Sequence, residues 1–321
     1  MPELVVVGAG PAGMAAATSA ASRGARVVLV DAERRLGGQY FRQRAAVPTT
    51  GHAPPAVGPR LPARFHHLAA NPAVELRLGC QVWAVSRELF GFKLHLADGE
   101  PAVLHAPAVV LATGASELVL PFPGWELPGV VTVGAAQALL KSQGLLIGRR
   151  AVVAGTGPFL LPVAAALAEA GARVLVAEAA PPRSVLQALP HLVQHPRKLR
   201  EAAGYGLTFA RHRVALLTGW AVVRCEGEGR AERAVLAQLG PNWEPLPGRS
   251  RTVNIDAVCT SYGFVPRSEL ARQLGASASR RPDHPAVKAA ADAAMATSVP
   301  GLFIAGELAG VAGAEVAELE G

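Results

Sequence analysis

One stretch of sequence occurs twice in this chain, 147 residues apart and without a gap. The first copy runs Val5-Val6-Val7-Gly8-Ala9-Gly10-Pro11-Ala12-Gly13, continues at Gly24-Ala25-Arg26-Val27 and ends on Asp31-Ala32. The second runs Val152-Val153-Ala154-Gly155-Thr156-Gly157-Pro158-Phe159-Leu160, continues at Gly171-Ala172-Arg173-Val174 and ends on Glu178. An apolar run, a glycine turn, a helix and an acidic residue about 20 positions on form the grammar of a dinucleotide-binding βαβ unit. A lone GxGxxG is weak evidence, but two in register are strong. Gly8 and Gly10 allow a tight turn and close approach of backbone to a pyrophosphate, whose charge meets the helix N-terminus. Gly13 permits close packing of helix on strand, and Asp31 can accept hydrogen bonds from a ribose diol. Two dinucleotide sites on one chain imply electrons passing between them, so a flavin-linked oxidoreductase is expected.

Composition fits that reading. With 321 residues there is room for two domains. Half the residues are apolar and 17% charged, which argues against disorder. With aromatics at 5% the core must be built from Val, Leu and Ala, favouring parallel strands covered by helices. Cys80, Cys225 and Cys259 lie far apart with no paired spacing, as reduced thiols do. The formal charge of +7 is scattered, without an aromatic–basic motif, so no nucleic-acid partner is expected. The basic stretch from Arg197 to Arg213 reads as a solvated face. His66-His67, His191 and His195 match no zinc spacing, so no metal site is expected. No uninterrupted apolar run is long enough for a membrane span. The first strand begins by Leu4, which leaves no space for a leader. A cytoplasmic location is therefore expected, with peripheral docking on a membrane left open.

Beyond the repeats, a Pro-rich passage through Pro62 reads as loop and Leu61–Ala70 as a short helix. Val74–Leu78, Gln81–Ser86 and Phe92–Ala97 read as strands, with a turn at Asp98-Gly99. Val109–Leu111 is a buried strand ending in the small-residue turn Ala112-Thr113-Gly114. Prolines and glycines from Pro121 to Gly129 mark a linker. Ala215–Cys225 and Ala234–Gln238 resemble a hairpin, Asp256–Thr260 and Leu302–Ala305 short strands, and Gly313–Leu319 the start of a helix.

The order of Gly8-x-Gly10-x-x-Gly13 with Asp31, Gly37-Gly38, Ala112-Thr113-Gly114, the second glycine motif and Ala305-Gly306-Glu307 is similar to that of two-dinucleotide-binding-domain flavoproteins. These are the pyridine nucleotide–disulfide oxidoreductase superfamily, and the resemblance covers essentially the whole chain. Within it, Gly37-Gly38-Gln39-Tyr40-Phe41-Arg42-Gln43, Thr113-Gly114-Ala115 and Gly155-Thr156-Gly157-Pro158 look most like a narrower group. Those are the nucleotide-binding subunits of opine oxidases, hydrogen cyanide synthase and dye-linked proline or hydroxyproline dehydrogenases.

The resemblance implies an α/β fold of two Rossmann-like domains, the second inserted into the first. It implies a discontinuous FAD domain, residues 1–116 and 256–321, around an NAD(P)-type domain, residues 117–255. FAD is then expected against Gly8, Gly10, Pro11, Ala12, Gly13, Asp31, Ala32, Gly37, Gly38, Gln39, Arg42, Ala112, Thr113, Gly114, Gly306 and Glu307. Gly37-Gly38-Gln39 is expected to pass close to the flavin ring, and Arg42 is either a positive charge near it or a surface residue. The second nucleotide is expected at Gly155, Gly157, Pro158 and Glu178. Glu178 would repel a 2′-phosphate, favouring NAD over NADP, while another adenine nucleotide stays open. The narrower group implies, as partner, a second flavoprotein of the amino-acid-oxidase-like kind, and a small-molecule electron donor. A free-standing NADH:acceptor oxidoreductase and a nucleotide-binding scaffold are the alternatives.

The chain departs from the superfamily pattern in three places. No CxxxxC pair follows Gly37-Gly38, which argues against dithiol chemistry. Leu160 replaces the third glycine of the second copy and is expected to push its helix outward. Glu307 replaces the usual aspartate, keeping the acceptor and adding a methylene. The narrower group also implies a C-terminal cysteine-rich [2Fe–2S] region, for which no Cys₄ arrangement precedes Gly321.

Overall fold

The computed structural model describes residues 1–44, 59–97, 101–184, 196–280 and 286–321. Among them the chain divides into two compact units. Unit 1 comprises Met1–Gln43, 59–116 and Phe264–Gly321, and unit 2 comprises Arg44 and Glu117–Gly263. Each unit is Rossmann-like, and the second is inserted into the first. Elements are numbered along the whole chain.

In unit 1 the first repeat forms β1 (Leu4–Val7), α1 (Pro11–Ser22) and β2 (Val27–Asp31). With β3 (Val74–Leu78), β7 (Ala108–Leu111) and β20 (Leu302–Ile304) they give a parallel sheet in the order β20-β7-β1-β2-β3. Strand side chains alternate, so the sheet feeds two cores. Val6 and Leu29 pack on Met14 and Ala17 of α1. Val5, Val7, Val28 and Val30 face the other way, toward Phe92, Leu94 and Leu96. Burial on both faces explains why these strands read as unbroken apolar runs. Each such valine or leucine contributes about 1.5–3 kcal/mol.

The second face is where the sequence reading needs correction. It is covered by an antiparallel sheet, β4 (Gln81–Glu88), β5 (Gly91–Ala97) and β6 (Pro101–Ala106), and not by helices. Residues 61–70 split into α2 (Ala63–His66) and a 3₁₀ turn, His67–Ala70. The ends of unit 1 are β8 (Ala115–Glu117), paired with β17 (Phe264–Pro266), then α6 (Glu269–Gln273), the pair β18 (Ala278–Arg280) and β19 (Val287–Ala289), and α7 (Ala314–Glu320).

Unit 2 repeats the plan with β9 (Val130–Thr132), α3 (Val133–Gln143), β10 (Arg150–Gly155), α4 (Leu160–Glu169), β11 (Arg173–Glu178), α5 (Pro196–His212), β12 (Ala215–Thr218) and β16 (Ala257–Ser261). The sheet order is β12-β11-β10-β16-β9, all parallel. Val153 and Val176 face α3 and α4, while Val152 and Ala154 face β13 (Trp220–Glu226) and β14 (Arg233–Leu239). β15 (Pro245–Asn254) is the outer strand of that antiparallel layer.

Two expectations change here. Residues 215–225 are not one arm of a hairpin, because Gly219, at φ +74°, sends β12 into the parallel sheet and β13 into the other layer. The chain re-enters unit 1 at Phe264 and not at Asp256, because β16 pairs with β10 and β9 of unit 2. The turn at Asp98-Gly99, most of the Pro48–Pro62 loop, His191 and His195 lie outside the described residues. No helix among the described residues is long and apolar enough to cross a membrane.

Candidate nucleotide sites

The first glycine turn is shaped by backbone that leaves no space for a side chain at Gly8 or Gly13. A Cβ on Gly8, at φ +107°, would lie 2.3 Å from the carbonyl oxygen of Ala112, and one on Gly13 would lie 1.7 Å from that of Gly8. At Gly10 the space is open. Gly10 caps α1 without a side-chain bond and Pro11 opens the helix, so the amides of Gly10, Ala12 and Gly13 have no acceptor among the described residues. A row of free amides at a helix N-terminus, beside an unfilled space, suits a pyrophosphate.

Other expected residues converge on this turn. Gly37 donates its amide to the Ala9 carbonyl at 2.9 Å, and a Cβ on Gly38 would sit 2.8 Å from Gly10 Cα. Ala112 packs with Ala12, Ala305 and Ala317, and a Cβ on Gly306 would meet Ala12. Thr113 donates its hydroxyl to the Arg267 carbonyl at 2.8 Å, and Gly114, at φ +71°, faces open space.

Asp31 ends β2 with its carboxylate already engaged. Oδ2 accepts from the Ala9 amide at 2.5 Å and Oδ1 from the Glu33 amide at 2.7 Å, which leaves lone pairs for a diol. Burial raises its pKa above the ordinary aspartate value, opposed by those two bonds and by Arg42. Arg42 is held by Glu33 at 2.7 Å and by Gln39 at 3.0 Å. Its charge therefore stands at the Asp31 end of the turn, which bears on the expectation that it neighbours a flavin ring. Ala32 is exposed beside it. Glu307 lies in the 3₁₀ turn Gly306–Leu308, and burial raises its pKa.

The second turn copies the first with one displacement. Gly155, at φ +138°, is crowded by the Ser261 carbonyl, where a Cβ would lie 1.7 Å away, just as Gly8 is crowded by Ala112. Glu178 accepts from the Gly157 amide at 3.1 Å and from the Ala180 amide at 2.9 Å. Asp31 clamps the residue between its two glycines, whereas the longer glutamate reaches the second glycine. Leu160, fully buried, packs with Val133, Ala136 and Leu140. The helix consequently begins at Leu160, two residues later than the register of Pro11 and Pro158 requires, after i→i−3 bonds from Leu160 and Leu161.

Sequence reasoning passed over four residues here. They are Glu33, which holds Arg42; Glu320, which accepts the Gly306 amide at 2.9 Å; Glu117; and Ser261. None belongs to a recognisable motif, and Ser261 reaches the turn only through the pairing of β16 with β10.

A chain with two Rossmann-like units, each opening on a glycine turn whose backbone amides are met by a strand-end acid, is of the flavin oxidoreductase class. The pyridine nucleotide-disulphide oxidoreductase family matches residues 2–321, and the chain belongs to that family. Membership implies FAD binding, and the cradle of unit 1 fits it. The chain is 32% identical over 325 residues to the HcnB subunit of hydrogen cyanide synthase from Pseudomonas protegens, covering 99% of this chain and 68% of that one. It is also 32% identical to an opine oxidase subunit of Agrobacterium tumefaciens, covering 99% of this chain and 63% of the relative. It thus spans about two thirds of the length of these relatives. Thioredoxin reductase of T. acidophilum shares the fold, with a TM-score of 0.71 at 20% identity, over 99% of this chain and 94% of the other.

Proposed function

We propose that this chain is the FAD-binding electron-transfer subunit of a hetero-oligomeric amino-acid or amine dehydrogenase, of opine or proline type. One observation carries the reading: two nucleotide turns are present, yet all three cysteines are buried apart from one another. Burial, then the charge of Glu117, pushes the Cys259 thiol up to about 12, and burial also raises Cys225. Such thiols are poor nucleophiles, so electrons are passed through bound cofactors and not through a dithiol. The relatives named as subunits of an oxidase and of a synthase support a partner chain, here proposed to be a second, amino-acid-oxidase-like flavoprotein.

In this reading the amides of Gly10, Ala12 and Gly13 hold the pyrophosphate and Asp31 holds the adenosine ribose. Glu307 is the acceptor for the ribityl–phosphate segment, and Gly37-Gly38 close over Gly10. Bound there, FAD supplies hydride acceptance and onward electron release. The protein's part is to orient the cofactor and to keep water from its anchoring groups.

A second reading, a free-standing NADH:acceptor oxidoreductase, is favoured by Glu178, whose clamped carboxylate suits an NAD ribose. Anaerobic mixing separates the two. Loss of oxidised-flavin absorbance with an amino- or imino-acid substrate, only when the partner chain is present, supports the first. Rapid loss with NADH alone supports the second.

A further inference from the structure

The hairpin of β4 and β5 in unit 1 ends on two large apolar side chains that its turn does not need. The strands are joined by Leu89-Phe90 alone, between the paired residues Glu88 and Gly91. Two-residue loops favour glycine, asparagine and aspartate, which reach the backbone angles of the turn easily. Leu89 is 87% exposed and Phe90 86%, while the strands behind them bury Val85, Phe92 and Leu94. The pair therefore adds little to the core and keeps an apolar apex in water, the mark of a surface that meets something else.

Positive charge stands behind this apex. Arg87 and Lys93 lie two and three residues back along the strands, about 7–10 Å at the rise of a β-strand. Neither has an ion-pair partner among the described residues. Glu88, beside the apex, is held by His105 Nδ1 at 2.9 Å. An apolar front with cations set about 5–10 Å behind it is the profile of a segment seated between lipid headgroups and acyl chains. A protein partner would need about 800 Å² from each side, more than a narrow apex supplies. Trp83, the next large exposed residue along β4, stands about 20 Å behind Leu89.

The apex also points away from the cofactor cradle. Gly91 lies against the backbone of Ala106 and Pro107, at the start of β7, where an added Cβ would be 2.3 Å from the Ala106 oxygen. The cradle is at the other end of that strand, where Ala112 crowds Gly8. A surface touching the apex leaves the glycine turn uncovered.

We propose that the Leu89-Phe90 apex docks the protein on an anionic lipid surface. Leu89 and Phe90 enter the acyl boundary, and Arg87 and Lys93 meet the headgroup phosphates. This docking is a property of unit 1 and holds under either redox reading given above.

The test is flotation of the full chain as purified, with vesicles of phosphatidylcholine alone or with about 30% phosphatidylglycerol added. The wild type is expected to partition at least about tenfold more onto the anionic vesicles, and about 0.5 M salt should remove most of that preference. Leu89→Ser/Phe90→Ser should weaken binding at least about tenfold, and Arg87→Gln or Lys93→Gln about fivefold each. Melting temperatures should stay within about 2 °C of the wild type, since these are surface substitutions. Trp83→Ser, from the far end of the hairpin, should bind vesicles as the wild type does. A wild type that stays off anionic vesicles overturns the proposal, as does an apex variant that floats like the wild type. Equal loss with Trp83→Ser, or a smaller oligomer for the apex variant by light scattering, would assign the apex to a protein contact and overturn it too.

Discussion

Replacing Gly13 by alanine tests the geometry of the first site most directly. The added Cβ would lie 1.7 Å from Gly8 O and 2.9 Å from Gly8 C, both backbone atoms that cannot rotate away. To restore even a tight contact of 3.0 Å, α1 must withdraw by about 1.3 Å (3.0 − 1.7) or tilt, and overpacking of this kind costs about 1–3 kcal/mol. For a unit of this size that lowers the melting temperature by roughly 2–12 °C. The same withdrawal moves the amides of Ala12 and Gly13 off the pyrophosphate. An amide bond to a charged acceptor is worth about 1.5–3 kcal/mol. Losing one weakens FAD about 10- to 150-fold. The assay is quenching of flavin fluorescence on titration into apoprotein, with calorimetric melting alongside. Leu160→Ala is the control, since it should cost about 2–5 kcal/mol of stability and leave FAD affinity alone. A Gly13→Ala protein that binds FAD within about threefold of the wild type would refute the idea that the helix is docked on the turn for the cofactor.

Three further outcomes are expected. Asp31→Ala should weaken FAD by about one to two orders of magnitude, while Glu178→Ala leaves flavin content unchanged and affects only the second nucleotide. Flavin content measured after gel filtration checks this, and the reverse pattern means the two sites are exchanged. The Asp31 pKa is raised by burial, so its contribution to apoprotein stability is present below the unfolded value of 3.8 and lost as pH rises through the folded value. Ribose binding uses the ionised form, so FAD should dissociate on acidification at a pH above the ordinary aspartate range. Asp31→Asn should abolish that component, and an unchanged pH profile of flavin retention in this variant would count against it. Finally, native protein should resist a thiol reagent at mildly alkaline pH and react at Cys80, Cys225 and Cys259 only once unfolded. Rapid labelling of a folded sample would reopen dithiol chemistry.

The turns, the two acids and the inserted α/β plan were legible because each depends on residues adjacent in sequence, and the repeat states them twice. What was not legible depends on pairing across the sheet. β15 was missed because Pro245, Pro247 and Gly248 argue against a strand, yet an edge strand tolerates them. α5 read as a basic surface, since Gly204 and Gly206 weaken its helical signal. α3 was hidden behind the linker, although Thr132 caps it by accepting the Ala135 amide and Gly144 ends it in the left-handed region. Ser261 and Glu117 belong to the same class. Nothing local distinguishes a serine at a strand end, and only the order β10-β16-β9 brings it to the nucleotide turn.

The difference in reach between Asp31 and Glu178 has a consequence for how the two halves can diverge. In the first copy the acid ties down Ala9, and the Gly10 amide stays available to a phosphate. In the second copy the Gly157 amide is already occupied by Glu178. A phosphate entering there must either displace a carboxylate or do without one donor, and the helix behind it starts late. One methylene and one leucine therefore leave the two copies of a duplicated scaffold with different amides free at the turn. Under the proposed function, that difference would favour a retained cofactor at the first copy and an exchanging ligand at the second.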